Sequence, residues 1–133
     1  MSDYEALFSY RIEQAESTLA EAVKMLASDF SPRSIVNRAY YSMFYFVLAL
    51  FLKSGLKVTT SKHVGIISYF DKEFINTRKI DKKFSAMLHS AFDNRMELDY
   101  KDFAQYTTDD ARKHVAAAQE FAAEIIRHIK TIG

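Results

Sequence analysis

The sequence predicts an all-helical fold: an up-and-down bundle of four to five helices in one domain covering residues 1–133. Three observations carry that expectation. Glycine and proline together number four, too few breakers for a many-turned β architecture. Apolar residues recur at helical spacing in several separate stretches. The breakers that do occur fall where helices should begin or stop.

The first helix is predicted from about Tyr4 to Ala27, with Leu7, Ala15, Leu19, Ala22, Val23 and Leu26 as its apolar stripe. Ser31 then offers an N-cap and Pro32 the first helical position, where a missing N–H costs nothing; Gly55 suits the C-terminal stop. Between them, Ala39 to Leu52 is apolar nearly all round, interrupted only by Ser42. A helix without a polar face belongs in the middle of a bundle. The stretch falls short of the roughly 20 residues that span a bilayer and contains three tyrosines, so buried helix is expected and no membrane partner.

Thr59, Thr60 and Ser61 are candidate caps for a third helix through His63, Ile66, Ile67 and Phe70, ending near Asn76. A fourth helix is expected to open around Asp81 and carry Phe84, Leu88, Ala91 and Leu98 on one face. A fifth opens at Thr107 or Thr108, where Asp109 and Asp110 suit the positive helix end, and continues with Ala111, Val115, Ala118, Ala122, Ile125 and Ile129 inward. Asp99 to Tyr106 is left as the longest irregular candidate, of the kind that often carries function.

Lys+Arg number 18 against 17 Asp+Glu, a formal charge of +1, so there is no global field to draw in nucleic acid and any basic site must be local. Cysteine is absent, which removes disulfides, thiol nucleophiles and thiolate metal sites. The opening MSDYEALF has neither a basic nor an apolar leader region, and a cytoplasmic setting is expected. No phosphate-binding glycine loop, nucleophile elbow or cofactor motif occurs. Asp110 with His114 and Glu124 with His128 have metal-ligand spacing but lack a second pair; solvated i,i+4 pairing accounts for them, and neither metal nor cofactor is expected.

On a wheel advancing about 100° per residue, Arg95 falls at the centre of the fourth helix's apolar stripe. A lone buried guanidinium costs several kcal/mol or more. Arg95 therefore needs an acidic partner, for which Asp99 at i+4 is nearest, or a cleft or subunit interface that would make it an anion site. On the central helix Arg38, Tyr41 and Tyr45 share a face at i, i+3 and i+7. They are either core tyrosines bonded to nearby backbone with Arg38 at a solvated end, or the lining of a polar groove. His63, opening the third helix, is open to three roles: general base, phosphate contact or part of the cap.

Taken together, NRAYYSMFY on the second helix, SKHVGIISYF on the third and AFDNRMELDY on the fourth resemble the HEPN family, more narrowly its small stand-alone prokaryotic members. The resemblance implies a two-fold dimer whose motif helices meet across the interface, giving Arg95 its cleft. It also implies toxin-antitoxin pairs with a minimal nucleotidyltransferase, and metal-independent ribonuclease chemistry in many members. Their motif is Arg, a polar residue, and His after four to six intervening residues: Arg steadies charge developing on the phosphate while His assists attack by the ribose 2′-hydroxyl. Here the positions of that His hold Tyr100, Lys101 and Asp102. Tyr100, with an ordinary pKa near 10, is a weak replacement for imidazole, and His63 replaces it only if the fold brings it beside Arg95. Phosphate or nucleotide binding by Arg38, His63 and Arg95 survives the departure.

The leading expectation is thus a homodimer binding nucleotide or RNA phosphate, or a nucleotidyltransferase partner, in a groove lined by Arg38, Tyr41, Tyr45, His63, Arg95, Asp99 and Tyr100. The competing one is a ribonuclease using Arg95 with His63 or Tyr100; a third is a non-catalytic structural adaptor.

Overall fold

The computed structural model describes residues 2–100 and 106–132, and the side chains of all of these except 97–100. Among the described residues there are five α-helices and no strand: α1 (Asp3–Leu26), α2 (Pro32–Lys53), α3 (His63–Phe70), α4 (Lys82–Tyr100) and α5 (Thr108–Lys130), with a π-helical turn, Asp71–Ile75, continuing α3.

Local chemistry explains the boundaries. Ser2 caps α1 by accepting from the Glu5 N–H, and Ser31 caps α2 by accepting from the Ser34 N–H, with Pro32 at the first helical position. At the far end of α2, Gly55 takes φ 71°, its N–H reaches the Leu52 carbonyl and the Leu56 N–H reaches Phe51. That is the paired Schellman arrangement, in which a left-handed residue lets two orphan carbonyls be satisfied. Asp81 accepts from the Lys83 N–H at the start of α4. Thr107 and Asp110 form a reciprocal capping box on α5.

α2 is the centre of the bundle and packs against α1, α4 and α5. Twelve of its residues are buried, among them Tyr40, Phe46, Val47 and Leu50. By length and composition it is the one helix among the described residues apolar enough to cross a membrane, but 67% of its most apolar window is covered by the other helices. α5 adds Ala111, Val115, Ala118, Ala122, Ile125 and Ile129 as expected, together with Phe121; α4 adds Phe84, Leu88 and Ala91.

Four expectations are corrected. On α1 the buried positions are Ala15, Thr18, Ala22 and Met25, whereas Leu7 and Val23 face outward. Thr18 is tolerated inside because its hydroxyl donates to the Gln14 carbonyl at 2.7 Å. The third helix is not capped by a threonine or Ser61 side chain: Lys62 occupies the cap position, and Thr60 Oγ1 accepts from the Lys62 N–H within the preceding turn. Its last turn, up to Asn76, is π-helical rather than α-helical. The widened turn carries Asp71, which accepts from Ser85 Oγ at 2.7 Å and lies 2.6 Å from His89 Nε2, so it ties the segment to α4. Finally, α4 continues through Tyr100, so Asp99 and Tyr100 stand on a helix and not in the irregular link.

Candidate functional site

The row Arg38, Tyr41, Tyr45 follows from helical spacing on α2, and the structure adds two neighbours from other elements. α4 delivers Arg95, whose Nη2 donates to the Tyr41 hydroxyl at 3.0 Å. The Cζ atoms of Arg38 and Arg95 each lie 5.5 Å from the Tyr41 ring centroid, so one phenol is flanked by two guanidinium groups. Arg95 also lies 5.9 Å from the Tyr40 ring. Cation–π contact of this kind is favourable and holds positive charge against the ring. Arg38 is held loosely, by Asn37 Oδ1 at 3.2 Å and by the exposed Glu21 at 4.0 Å, a pairing worth little in water. Neither Tyr40 nor Tyr41 uses its hydroxyl on nearby backbone: each finds a side chain from another helix.

His63 enters the same cluster from the first turn of α3. Its ring stacks on Phe44 at 4.0 Å, meets Tyr41 edge-on at 5.7 Å, and its Nδ1 lies 2.6 Å from the Tyr40 hydroxyl. Burial, and then the Arg95 charge, lower the His63 pKa. Burial pushes the Tyr40 phenol up, against the opposing pull of Arg95. A phenol that keeps its proton beside a neutral imidazole acts as the donor, because imidazole nitrogen is the better acceptor. Tyr40 therefore donates to Nδ1, and the neutral His63 carries its proton on Nε2, ready to donate to an oxyanion.

Arg38, Tyr41, Tyr45, His63 and Arg95 are thus gathered at one place, Tyr45 by its ring contact with Tyr41 at 5.9 Å. The candidates Asp99 and Tyr100 lie outside the residues whose side chains are described. Sequence reasoning missed Tyr40, which sits inside an apolar run and reads as core; it is core, at 1% exposure, and yet it orients the histidine. It also missed a cavity of about 500 Å³ walled by Tyr41, Tyr45 and His63 on one side and by Leu48, Leu52 and Leu56 on another.

Among the described residues no three His, Asp or Glu side chains converge as a metal site would need. The Asp110 carboxylate is occupied by Thr107 in the capping box, which with Lys113 and His114 lowers its pKa, and Glu124 pairs with Arg127.

Over 132 residues the chain is 30% identical to the UPF0332 protein of Thermotoga maritima, covering 99% of this chain and 98% of that one. Two proteins of Methanocaldococcus jannaschii named as candidate toxins are also similar. One is 31% identical over 91% of this chain and 87% of its own length, the other 34% identical over 75% and 66%. The model of the HEPN domain matches residues 8–129, which takes in every residue of the cluster around Tyr41, and the chain belongs to the HEPN family.

Proposed function

We propose that this is a cytoplasmic, homodimeric HEPN module of toxin-antitoxin type that holds a nucleotide or RNA phosphate at Arg95 and Arg38, and that pairs with a minimal nucleotidyltransferase. The observation that carries the phosphate site is the flanking of Tyr41 by two guanidinium groups, one of them fixed by a hydrogen bond. Charge-assisted bonds from such donors to phosphate are short and strong, and a second arginine adds orientation. Neutral His63, with its proton on Nε2, contributes a third donor. The toxin-type pairing is supported by the names of the two archaeal relatives. Dimerisation is supported by the exposure of Tyr4, Leu7 and Tyr10 on α1 and of Val64 on α3, large apolar side chains that a second copy would cover.

The test of the phosphate site is binding of a short single-stranded RNA to the wild-type chain and to Arg95→Ala and Arg38→Ala, at two salt concentrations. Each substitution weakens binding and flattens its salt dependence. Light scattering at micromolar concentration tests the dimer, and a monomer removes it. Co-purification with a minimal nucleotidyltransferase co-expressed from the same genome tests the pairing, and its absence from the purified chain removes it.

A second reading, ribonuclease activity, is favoured by one observation: His63 and Arg95 share contacts with both Tyr40 and Tyr41. Cleavage would use Arg95 against the charge on the scissile phosphate and His63 for proton transfer. The Tyr40 bond to Nδ1 works against a general-base role, because the nitrogen with the lone pair is already taken, and proton donation to a leaving group needs the imidazolium rather than the neutral ring, so this reading requires that bond to break during turnover. RNA cleavage that survives both Arg95→Ala and His63→Ala excludes this site.

A further inference from the structure

The cavity beside Tyr41 differs chemically from the cationic cluster it adjoins. Its volume of about 500 Å³ is in the range of small-molecule sites. Leu48, Leu52, Leu56 and Val58 line it and are only half-buried, while Leu7 at its rim is 43% exposed. Several partly exposed apolar side chains gathered around one hollow mark a surface made to be covered by something apolar. The rim is polar: Thr60, Ser61 and Arg11 reach it, the last with its guanidinium held by Gln14 Oε1 at 2.9 Å.

Two side chains belong to both places. Tyr41 lines the cavity with its ring and accepts from Arg95 through its hydroxyl; His63 lines the cavity and is held by Tyr40 and Phe44. An anion on Arg95 is therefore one phenol away from an apolar hollow. The ligand that matches is one whose anionic group is joined over a short distance to a flat, largely apolar ring with hydrogen-bonding edges.

We propose that this cavity is a nucleobase subsite, which takes the base of the same nucleotide unit whose phosphate sits on Arg95 and Arg38. The proposal rests on the phosphate site argued above. Bases turned out of a strand stack on aromatic side chains such as Tyr41 and Tyr45 with little dependence on sequence, and the polar rim reads the base edge. Gly65 backs the cavity-lining Thr60: a Cβ there would stand 2.6 Å from Cγ2 of Thr60, so a larger residue would push that side chain from its place. Free nucleotide and single-stranded RNA share this chemistry.

The experiment titrates the full chain with AMP, ribose 5-phosphate and a short oligoadenylate, following heat or fluorescence. AMP is expected to bind at least tenfold more tightly than ribose 5-phosphate. Filling the cavity with Val58→Trp, or displacing its wall with Gly65→Ala, is expected to bring AMP down to the level of ribose 5-phosphate while ribose 5-phosphate itself is unchanged. Either order of AMP and oligoadenylate supports the subsite: tighter oligoadenylate assigns it to RNA, and equal or weaker oligoadenylate to free nucleotide. Equal binding of AMP and ribose 5-phosphate by the wild-type chain overturns the base subsite whether or not the variants fold. If Arg95→Ala then weakens both, the phosphate site stands without it. If neither compound nor the oligoadenylate binds, both fall. Loss of the dimer in Val58→Trp, with no preference for AMP in the wild type, assigns the cavity to a second copy of the chain and overturns the proposal.

Discussion

The Tyr40 hydroxyl and His63 Nδ1 lie 2.6 Å apart across 23 residues of sequence, and with the phenol as donor the proton of a neutral imidazole belongs on Nε2. Tyr40→Phe keeps the ring and its packing while removing the donor. The variant is expected to lose about 1 kcal/mol of stability, the usual net value of an intramolecular hydrogen bond. The ¹⁵N shifts of His63 should move from the Nε2–H form toward a mixture of tautomers. Unchanged shifts would mean that Tyr40 does not set the tautomer.

The histidines give the fold a defined pH dependence. His63, His114 and His128 all have pKa values lowered in the folded chain, each chiefly by burial. The unfolded chain then binds more protons below its ordinary histidine pKa of about 6.5, so stability is present above that value and is lost as pH falls toward the depressed values. Thermal melts should show Tm dropping between about pH 7 and pH 5. His63→Gln should reduce the slope, and a slope identical to that of the wild type would remove His63 from the cause.

Gly55 holds φ 71° with nothing within 4 Å of where a Cβ would stand. The cost of Gly55→Ala is therefore purely conformational, about 1–2 kcal/mol for an L-residue in the left-handed region. A loss of a few degrees in Tm is expected, with the RNA affinity unaltered.

Thr107 and Asp110 cap α5 reciprocally. Removing the hydroxyl in Thr107→Ala leaves the Asp110 N–H without its partner and is expected to cost about 1 kcal/mol. Thr107→Ser should restore most of it. If the serine variant is as unstable as the alanine one, the loss comes from packing of the threonine methyl instead.

Much of this was legible because it is local. Ser31, Pro32, Gly55 and the Thr107–Asp110 pair are signals within a few residues of the feature they create, and the helical period alone put Arg95 where a partner or cleft was required. Arg38, Tyr41 and Tyr45 share a face for the same reason. What was not legible depends on pairing between elements. Tyr40 is indistinguishable in sequence from the apolar residues around it, and only the arrival of α3 shows that its hydroxyl has a partner. The π-helical turn at Asp71–Ile75 follows no periodic signal; it serves Asp71's bonds to Ser85 and His89, which lie on another helix. Leu7 and Val23 look like core by type, yet face outward on α1 because the inner face is set by Ala15, Ala22 and Met25 against α2.

The most direct test is the affinity of a short single-stranded RNA for Arg95→Ala relative to the wild-type chain, at constant salt, with helicity and Tm measured alongside. Hydrogen bonds to a charged group contribute about 1.5–3 kcal/mol, so losing this guanidinium should weaken binding by roughly ten- to a hundredfold while the helices stay folded. Equal affinity of a folded Arg95→Ala for the RNA would contradict a phosphate site at Arg95.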